Sequence, residues 1–201
     1  MSTPVFTQDW FSLAIPAWEK HIVPSLKDKE CMMLEIGSFE GRSALWSLEH
    51  FLTHPQSKII CCDIFGEFFH YKDDELLNVF LKNTSAYRDK IIVCRGKSQE
   101  TLKKKTFWKY LHDKIDFGYI DGGHTSSQAL QDAVLLWPLI KPGGFLCFDD
   151  YYGGIPESTG SCHIGINAFL LAYRGEYDIL HQEYQVIIRK KLGTPVLLNS
   201  F

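Results

Sequence analysis

Short apolar runs alternate with amphipathic segments along most of the chain. Five runs have the length and composition of buried strands, at 31–36, 57–62, 90–95, 115–120 and 145–148. Between the last two runs, Leu130, Ala133, Val134 and Trp137 follow the i, i+3, i+4, i+7 spacing of an amphipathic helix. Strands that alternate with helices are typical of an α/β fold with a parallel sheet.

The two ends of the chain extend this core. Residues 5–27 mix apolar and aromatic positions with two prolines, which predicts one or two short helices that pack on the core or form a lid or a dimer contact. Ile164, Ala168, Leu171 and Ala172 indicate one more helix, and 177–180 with 184–189 indicate a closing hairpin. We therefore predict a single domain over 1–201, with an N-terminal helical extension at 1–30, a core at 31–152 and a C-terminal helix and hairpin at 153–201.

Composition narrows the possible partners. The chain has 201 residues, 45% of them hydrophobic and 22% charged, and a net charge of −3. This balance provides no global basic field for nucleic acid or a membrane surface. The longest apolar run, 133–140, is too short to span a bilayer, and residues 1–10 do not resemble a signal peptide. The six cysteines include no C-x-x-C pair, so we expect reduced thiols and a cytoplasmic location.

The first strand leads into a glycine turn, Glu35-x-Gly37-x-x-x-Gly41. Glycine lets the backbone approach a ligand, and the helix that follows offers unpaired N–H groups. Phe39 replaces the middle glycine of a dinucleotide-binding turn, and Glu35 would repel a pyrophosphate but suits a cationic ligand. An ordinary strand-to-helix turn is the alternative interpretation.

The next two strand ends carry further candidates for nucleoside binding. Asp63 is placed to accept hydrogen bonds from ribose hydroxyls, or else caps a turn. The aromatic segment 65–71 either walls an adenine or aromatic substrate or collapses on itself. Gly96 permits a tight turn. Ser98 either caps the following helix or meets the adenine edge, and the residues favour capping.

Acids lie at the ends of four of the predicted strands, and parallel strands bring their carboxyl ends to one edge of a sheet. Of these acids, Asp121, Asp149 and Asp150 would repel one another if they lay close together. A divalent cation such as Mg²⁺ or Ca²⁺ relieves that repulsion and acidifies a bound hydroxyl. The alternative is that Asp149 or Asp150 caps a loop without an ion.

Together these segments resemble a known family. The glycine turn, Asp63, Gly96-x-Ser98, Asp121-Gly-Gly-His124, and the segment from Lys141-Pro-Gly-Gly144 to Asp149-Asp150-Tyr151 are similar to successive motifs of class I S-adenosylmethionine (SAM) methyltransferases. The similarity covers about 31–152 and is strongest to the sugar and antibiotic O-methyltransferases. It extends more distantly to the metal-dependent catechol and caffeoyl-coenzyme A enzymes. It implies a Rossmann-like, mainly parallel seven-stranded sheet with an antiparallel last strand, and makes 31–152 the cofactor-binding core.

The resemblance also implies a role for each matching position. Glu35 and Gly37 would line the methionine end of SAM, and Ser38 would also bind the cofactor. Asp63 would hold the ribose, and Ile64 would also contact the cofactor. Ser98 would lie near the adenine, and Gly96 would also bind the cofactor. Asp121 would stand between the cofactor and the active centre and, with Asp149 and Asp150, would hold the divalent cation. The relatives commonly have an amide as the last of these ligands, where this chain has an acid.

His124 is the candidate general base, because an imidazole titrates near working pH. In the alternative interpretations, His124 only contacts a metal ligand or only marks the start of a helix. His163 is a weaker candidate that would close the acceptor pocket with Tyr151 and Tyr152.

We therefore expect a SAM-dependent O-methyltransferase for a hydroxyl of a small sugar-like or catechol-like acceptor, assisted by a divalent cation. A homo-oligomer is compatible with the sequence. A non-catalytic SAM-binding scaffold and, less favoured, an NAD-dependent oxidoreductase are the rival hypotheses.

Overall fold

A computed structural model of the chain describes residues 3–152 and 161–193. Its centre is a seven-stranded sheet in the order β3-β2-β1-β4-β5-β7-β6. The strands are β1 Met32–Ile36, β2 Lys58–Asp63, β3 Ile91–Arg95, β4 Ile115–Ile120, β5 Ile140–Phe148, β6 Tyr177–Gln182 and β7 Val186–Lys190. Strands β1 to β5 pair in parallel, and β7 is antiparallel to both of its neighbours. The predicted sheet with an antiparallel last strand is confirmed.

Helices cover both faces of this sheet. They are α1 Ile15–His21, α2 Val23–Leu26, α3 Arg42–His50, α4 Glu75–Asn83, α5 Ser98–Leu102, α6 Lys105–Leu111, α7 Ser126–Leu136 and α8 Cys162–Ala172. Short 3₁₀ segments lie at Ser12–Ala14, Ser85–Lys90 and Trp137–Leu139. Successive strand residues point to opposite faces, so Met33 joins the core under α1 and α3 while Leu34 joins the core under α7 and α8. No helix in the described part of the chain is both long enough and apolar enough to cross a bilayer.

The N-terminal helices belong to the core rather than lying loosely on it. Trp18 is fully buried, and its ring meets those of Phe117 and Tyr119 edge to face, with centroids 4.8 Å apart in each case. Its indole N–H donates to Gln185 at 2.8 Å. The predicted packing of one or two short helices on the core is therefore confirmed.

Several element bounds differ from the prediction. Strand β5 begins at Ile140, before the predicted start at 145. The Pro-Gly-Gly segment lies inside the strand, where the pairing with β4 shifts register between Ile115 and Phe117. The single helix expected after the Gly96 turn is two short helices, α5 and α6. Residues 153–160, which follow Tyr152, lie outside the described residues.

Helix α8 was predicted from residues that lie on its outer face. Ile164 and Leu171 are 51% and 68% exposed, whereas Ile166 and Phe169 are buried. Gly165 determines which face turns inward, since a Cβ there would lie 2.0 Å from the carbonyl oxygen of Ser126 on α7. Helix α8 is apolar on both faces, so spacing alone does not identify the buried one.

Candidate active site

The carboxyl ends of the central strands meet at one edge of the sheet, as the sequence predicts. The backbone N–H of Asp121 donates to the carbonyl of Ile36 at 2.8 Å, and the N–H of Asp149 donates to Ile120 at 2.9 Å. These bonds continue the strand pairing one residue past each strand. The acids at the ends of β1, β4 and β5 are therefore neighbours across the edge.

The glycine turn after β1 lies directly against the end of β4. Gly37 has φ +86°, and a Cβ at this position would stand 1.8 Å from the carbonyl oxygen of Asp121. Only glycine permits both this backbone conformation and this approach. Ser38, the next residue, is buried, and its hydroxyl has no hydrogen-bond partner among the described residues.

Glu35 is fully buried behind this turn. Ser43 on α3 donates to its Oε1 atom at 2.5 Å, while Oε2 has no partner in the described part of the chain. Burial raises the pKa of Glu35 to about 7, against the opposing effect of the Ser43 hydrogen bond. A carboxylate with one unpaired buried oxygen is a favourable neighbour for a cationic ligand.

Asp63 fixes the shape of the turn. Its Oδ2 accepts the backbone N–H groups of Ser38 at 2.8 Å and Phe39 at 2.9 Å, and its Oδ1 accepts that of Phe65 at 2.7 Å. The carboxylate thus ties the loop after β1 to the loop after β2. A carboxylate has about four lone-pair positions, so capacity for a ribose hydroxyl remains. Ile64 beside it is 52% exposed, an apolar surface at the strand end.

The turn after β3 follows the prediction at Gly96 but not at Ser98. Gly96 adopts φ +137°, as a tight turn requires. Ser98 was expected to cap its helix, and that expectation is wrong: its hydroxyl donates to Asp132 Oδ1 on α7 at 2.7 Å. The start of a helix offers N–H donors to a capping hydroxyl, but Ser98 is the first residue of α5 and its hydroxyl donates to the buried carboxylate instead, which holds α5 against α7.

Two further acids share one hydroxyl group. The Tyr119 oxygen lies 3.2 Å from Asp121 Oδ2 and 2.9 Å from Asp149 Oδ2. Gln185 donates to the other oxygen of Asp149 at 2.9 Å. Burial, followed by repulsion from neighbouring carboxylates, raises the pKa of both Asp121 and Asp149. Two carboxyl groups that are costly to ionise therefore lie side by side at the strand ends.

Asp150 faces a different set of partners. His124 Nδ1 lies 2.5 Å from Asp150 Oδ2, and the Tyr184 hydroxyl donates to Oδ1 at 3.0 Å. The hydrogen bond from His124 lowers the pKa of Asp150, and the same bond raises the pKa of His124 to about 10. At neutral pH the pair is therefore a carboxylate with an imidazolium.

The three predicted metal ligands are thus neighbours that point to different partners. In residues 3–152 and 161–193, the group of possible ligands whose donor atoms all lie within 4.8 Å of one another is His124, Asp150 and Cys162. His163, the weaker base candidate, has its Nδ1 atom 2.5 Å from the Ser161 hydroxyl. Tyr151 is buried, with its hydroxyl bonded to Asn167, whereas Tyr152 is 68% exposed.

Asp121 lines two clefts. The first lies on the side of the glycine turn and is lined by Gln8, Trp10, Phe11, Gly37, Ser38, Phe39, Glu40, Arg42, Ser43 and Asp121. The second lies over the ends of β4 and β5 and includes Asp121, His124, Asp149, Asp150 and Cys162. This arrangement is what a residue between a donor site and a reacting centre requires.

Glu40 is a site residue that the sequence analysis missed. It is 1% exposed, and its carboxylate accepts the Thr7 N–H at 2.7 Å, the Thr7 hydroxyl at 2.6 Å, and the Tyr71 hydroxyl. These bonds hold the N-terminal segment over the glycine turn. No spacing in the sequence indicates a contact between residues 33 positions apart.

The aromatic segment after β2 has one ring packed in the core and two exposed rings. Phe65 is buried against Phe80, with ring centroids 5.0 Å apart. Phe68 and Phe69 are 44% and 64% exposed, and Phe69 lies 5.3 Å from the ring of Trp10. Trp10 in turn stacks on Phe39 at 5.2 Å, at the mouth of the first cleft.

Solved structures of other proteins share this architecture. The MycE methyltransferase from the mycinamycin biosynthetic pathway, in complex with Mg and S-adenosylhomocysteine (SAH), has a TM-score of 0.65 and 16% identity over 98% of this chain. A second MycE structure, with Mg, SAH and mycinamycin VI, has a TM-score of 0.64 and 15% identity, and again 98% of this chain is covered. The present chain spans 54% of the MycE chain in both cases.

A protein from Corynebacterium glutamicum matches at a TM-score of 0.63 and 10% identity, with 94% of this chain and 93% of that chain covered. Identities this low support the predicted class I methyltransferase fold and no more. No curated protein sequence matches the chain.

The family of the chain is assigned from its sequence. Residues 34–151, more than half of the chain, match the family model described as a methyltransferase domain. This range begins in β1, ends just after Asp149 and Asp150, and contains every strand-end acid discussed above. The chain belongs to this methyltransferase family.

Proposed function

We propose that the chain is a SAM-dependent O-methyltransferase that acts on a hydroxyl of a small catechol-like or sugar-like acceptor with the help of a divalent cation. The observation that carries this proposal is the position of Asp121. It lines both the cleft beside the glycine turn and the cleft over the ends of β4 and β5. A methyl group must pass between two such places, and the protein's main task is to align donor and acceptor there.

The first cleft suits the donor. Gly37 and Ser38 line it, and the unpaired oxygen of buried Glu35 lies behind it, which favours a positively charged sulfonium over a neutral ligand. Asp63 has lone pairs left for the ribose, and exposed Ile64 offers the adenine an apolar face. SAM supplies an activated methyl group, so no covalent help from the protein is needed.

The residues at the second cleft fit a hard divalent cation. Asp121 and Asp149 are carboxylates that burial and mutual repulsion make costly to ionise, and oxygen ligands are those that Mg²⁺ and Ca²⁺ prefer. Asp121, Asp149 and Asp150 would hold the ion, as predicted from the sequence. The ion would lower the pKa of an acceptor hydroxyl.

His124 is the group that would remove the acceptor's proton. Its side chain is 61% exposed, so an acceptor can reach it. Only the neutral imidazole accepts a proton, and the pairing with Asp150 stabilises the charged form. The base role therefore requires that Asp150 be drawn away from His124 in the working complex.

An acceptor must approach the donor at Asp121, and the aromatic rings that share the first cleft with Asp121 favour an acceptor with a flat apolar face. Trp10 and Phe39 line that cleft, and Phe68 and Phe69 extend the same surface outward. Exposed aromatic rings beside a polar reaction centre suit a ring-shaped molecule whose hydroxyl groups point inward. We therefore favour catechol-like acceptors over simple sugars.

The experiment has two parts. SAM is titrated calorimetrically into metal-stripped protein with and without Mg²⁺, and labelled methyl transfer is then screened over catechols and sugar diols. We expect micromolar SAM binding, and transfer that requires Mg²⁺. Binding without transfer to any acceptor would favour a non-catalytic SAM-binding protein, and folded protein that binds no SAM would overturn the methyltransferase proposal.

A further inference from the structure

Three different types of donor meet at the second cleft. His124, Asp150 and Cys162 line it, and each places one possible ligand atom within 4.8 Å of those of the other two. Together they offer an imidazole nitrogen, a carboxylate oxygen and a thiol sulfur. Asp150 is also one of the proposed Mg²⁺ ligands, whereas Cys162 is not among them. The cleft therefore contains two sets of possible ligands that share one carboxylate.

The packing of α8 on α7 holds Cys162 beside His124. Cys162 is buried and is the first residue of α8. Ser126, the first residue of α7, donates its hydroxyl to the carbonyl of Ser161 at 2.7 Å. Gly165 lets the two helices touch, since a Cβ there would lie 2.0 Å from the Ser126 carbonyl oxygen. Because His124 lies just before α7, these contacts fix the sulfur next to the imidazole.

A small movement of His124 would make room for an ion. The ligand atoms of a tetrahedral zinc ion lie about 3.3–3.6 Å apart, given metal–ligand bonds of about 2.0–2.3 Å. His124 Nδ1 and Asp150 Oδ2 lie 2.5 Å apart, so they would have to separate by about 1 Å. The His124 side chain is 61% exposed, which allows this movement and lets an ion enter from solvent. The ion would replace the proton between the two groups, and that proton and the thiol proton would pass to solvent.

The donor types select a zinc-class ion over Mg²⁺. Zinc accepts imidazole, thiolate and carboxylate ligands, and three protein ligands with an open fourth position are a common arrangement. Mg²⁺ prefers oxygen ligands alone, which the three carboxylates offer. The Tyr184 hydroxyl donates to Asp150 Oδ1 at 3.0 Å and orients the carboxylate that both ions would use. The two ions would therefore compete for Asp150.

We propose that His124, Asp150 and Cys162 form an inhibitory site for a zinc-class divalent ion, which excludes Mg²⁺ from Asp150 and withdraws His124 from catalysis. The metal site depends only on these three residues. Its inhibitory effect rests on the proposed function, because it assumes that Mg²⁺ uses Asp150 and that His124 is the base.

Co²⁺ is the probe for this site, because it takes the coordination of zinc and its bond to a thiolate gives a charge-transfer band in the near ultraviolet. Reduced, metal-stripped protein is titrated with Co²⁺ and then with Zn²⁺. We expect the band to saturate at one ion per chain and to disappear when Zn²⁺ displaces Co²⁺. Mg²⁺ at about ten times its own dissociation constant should weaken Co²⁺ binding by about tenfold, since the two ions compete.

Three variants identify the ligands. C162S should lose the charge-transfer band and should weaken Zn²⁺ binding by at least about tenfold. H124A should weaken Zn²⁺ binding similarly, and its folding is protected because the His124 side chain is largely exposed. C94S is the matched control, because Cys94 on β3 is half-buried and is the more accessible thiol. This control should keep the band of the wild type.

The outcomes separate the metal site from the proposed function. A wild type without the band, or a C162S variant that is folded by circular dichroism and keeps it, would overturn the site. A C94S variant that loses the band, or an H124A variant with unchanged Zn²⁺ affinity, would also overturn it. A band that Mg²⁺ does not weaken would overturn the inhibitory role. Protein that shows the band but binds no SAM would support the metal site and overturn the proposed function.

Discussion

The Ser43 hydroxyl donates to one oxygen of Glu35 at 2.5 Å, while the other oxygen of Glu35 has no partner among the described residues. The carboxylate is fully buried, so one hydrogen bond must offset most of the cost of removing the charge from water. It does not do so completely, because burial raises the pKa of Glu35 from 4.5 to about 7. The protein thus contains an acid that titrates near neutral pH beside its proposed donor cleft.

The first prediction concerns stability and pH. A raised folded-state pKa means that folding favours protonated Glu35, so its contribution to the free energy of unfolding is greatest below pH 4.5 and is lost as pH rises through about 7. The loss is about 3 kcal/mol. The E35Q variant should lack this slope and should gain stability relative to the wild type between pH 5 and pH 8. Urea denaturation of both proteins at pH 5 and at pH 8 measures this difference in the free energy of unfolding.

Glu49 provides the control for this prediction. It lies on α3, the helix that carries Ser43, but its side chain is exposed. E49Q should therefore keep the pH slope of the wild type. An E35Q variant with an unchanged slope would show that another group carries the dependence.

The second prediction is that SAM binding releases a proton. A sulfonium beside Glu35 stabilises the carboxylate and lowers its pKa. At pH 7 about half of the Glu35 side chains carry a proton in the free protein, so binding should release up to about 0.5 proton. Calorimetry in phosphate and in Tris, which differ in ionisation enthalpy, measures the release. SAH lacks the positive sulfur and should release less, and E35Q should abolish the difference.

The third prediction concerns His124 and Asp150, whose side chains meet at 2.5 Å. In metal-free protein the His124 imidazole should stay protonated well above pH 7, because its hydrogen bond to Asp150 raises its pKa to about 10. Solvent reaches 61% of the His124 side chain and screens the pair, so its contribution to stability should be small. The D150N variant should return the His124 pKa towards 6.5, as seen by NMR titration of the ring protons.

The same titration tests the proposed cation. If Mg²⁺ engages Asp150, the His124 pKa should fall when Mg²⁺ is added to the wild type. D113N is the control, because Asp113 pairs with the exposed His112 away from the strand ends. This control should leave the His124 titration unchanged. A His124 pKa that is ordinary in metal-free wild type would contradict the ion pair.

The strand ends were predictable because they depend on local pattern. Apolar runs fix the strands, parallel strands share an edge, and each acid directly follows its strand, so Asp121 and Asp149 had to be neighbours. Gly37 was predictable for the same reason, since a tight turn against another backbone admits no side chain. None of this required knowledge of the tertiary structure.

The partners of those acids were not predictable. Gln185 donates to Asp149 from 36 residues away, and Ser98 donates to Asp132 from 34 residues away. Such contacts depend on how α5 packs on α7 and where β7 joins the sheet, which no local spacing records. For Ser98 the local rule favoured a helix cap, and a buried tertiary acceptor overrode it.

The last prediction concerns the N-terminal segment, which Glu40 holds over the glycine turn through Thr7 and Tyr71. The E40Q variant should weaken these charge-assisted bonds and lower the free energy of unfolding by about 1–3 kcal/mol. Hydrogen exchange at Thr7 and Trp10 should become faster. Glu40 also raises the pKa of Tyr71, after burial, to about 12, so this pKa should fall towards 10 in the variant and can be read by ultraviolet titration.

The control is D9A, which removes the exposed ion pair between Asp9 and Arg42 from the same segment. Exposed pairs contribute less than about 1 kcal/mol, so D9A should leave the Tyr71 titration unchanged and stability nearly so. Because Trp10 lines the donor cleft, E40Q should also weaken SAH binding more than D9A does. If E40Q and D9A show the same hydrogen exchange rates and the same affinity for SAH, Glu40 does not hold the N-terminal segment in place. The packing of Phe11 against Trp18 must then hold the wall of the cleft.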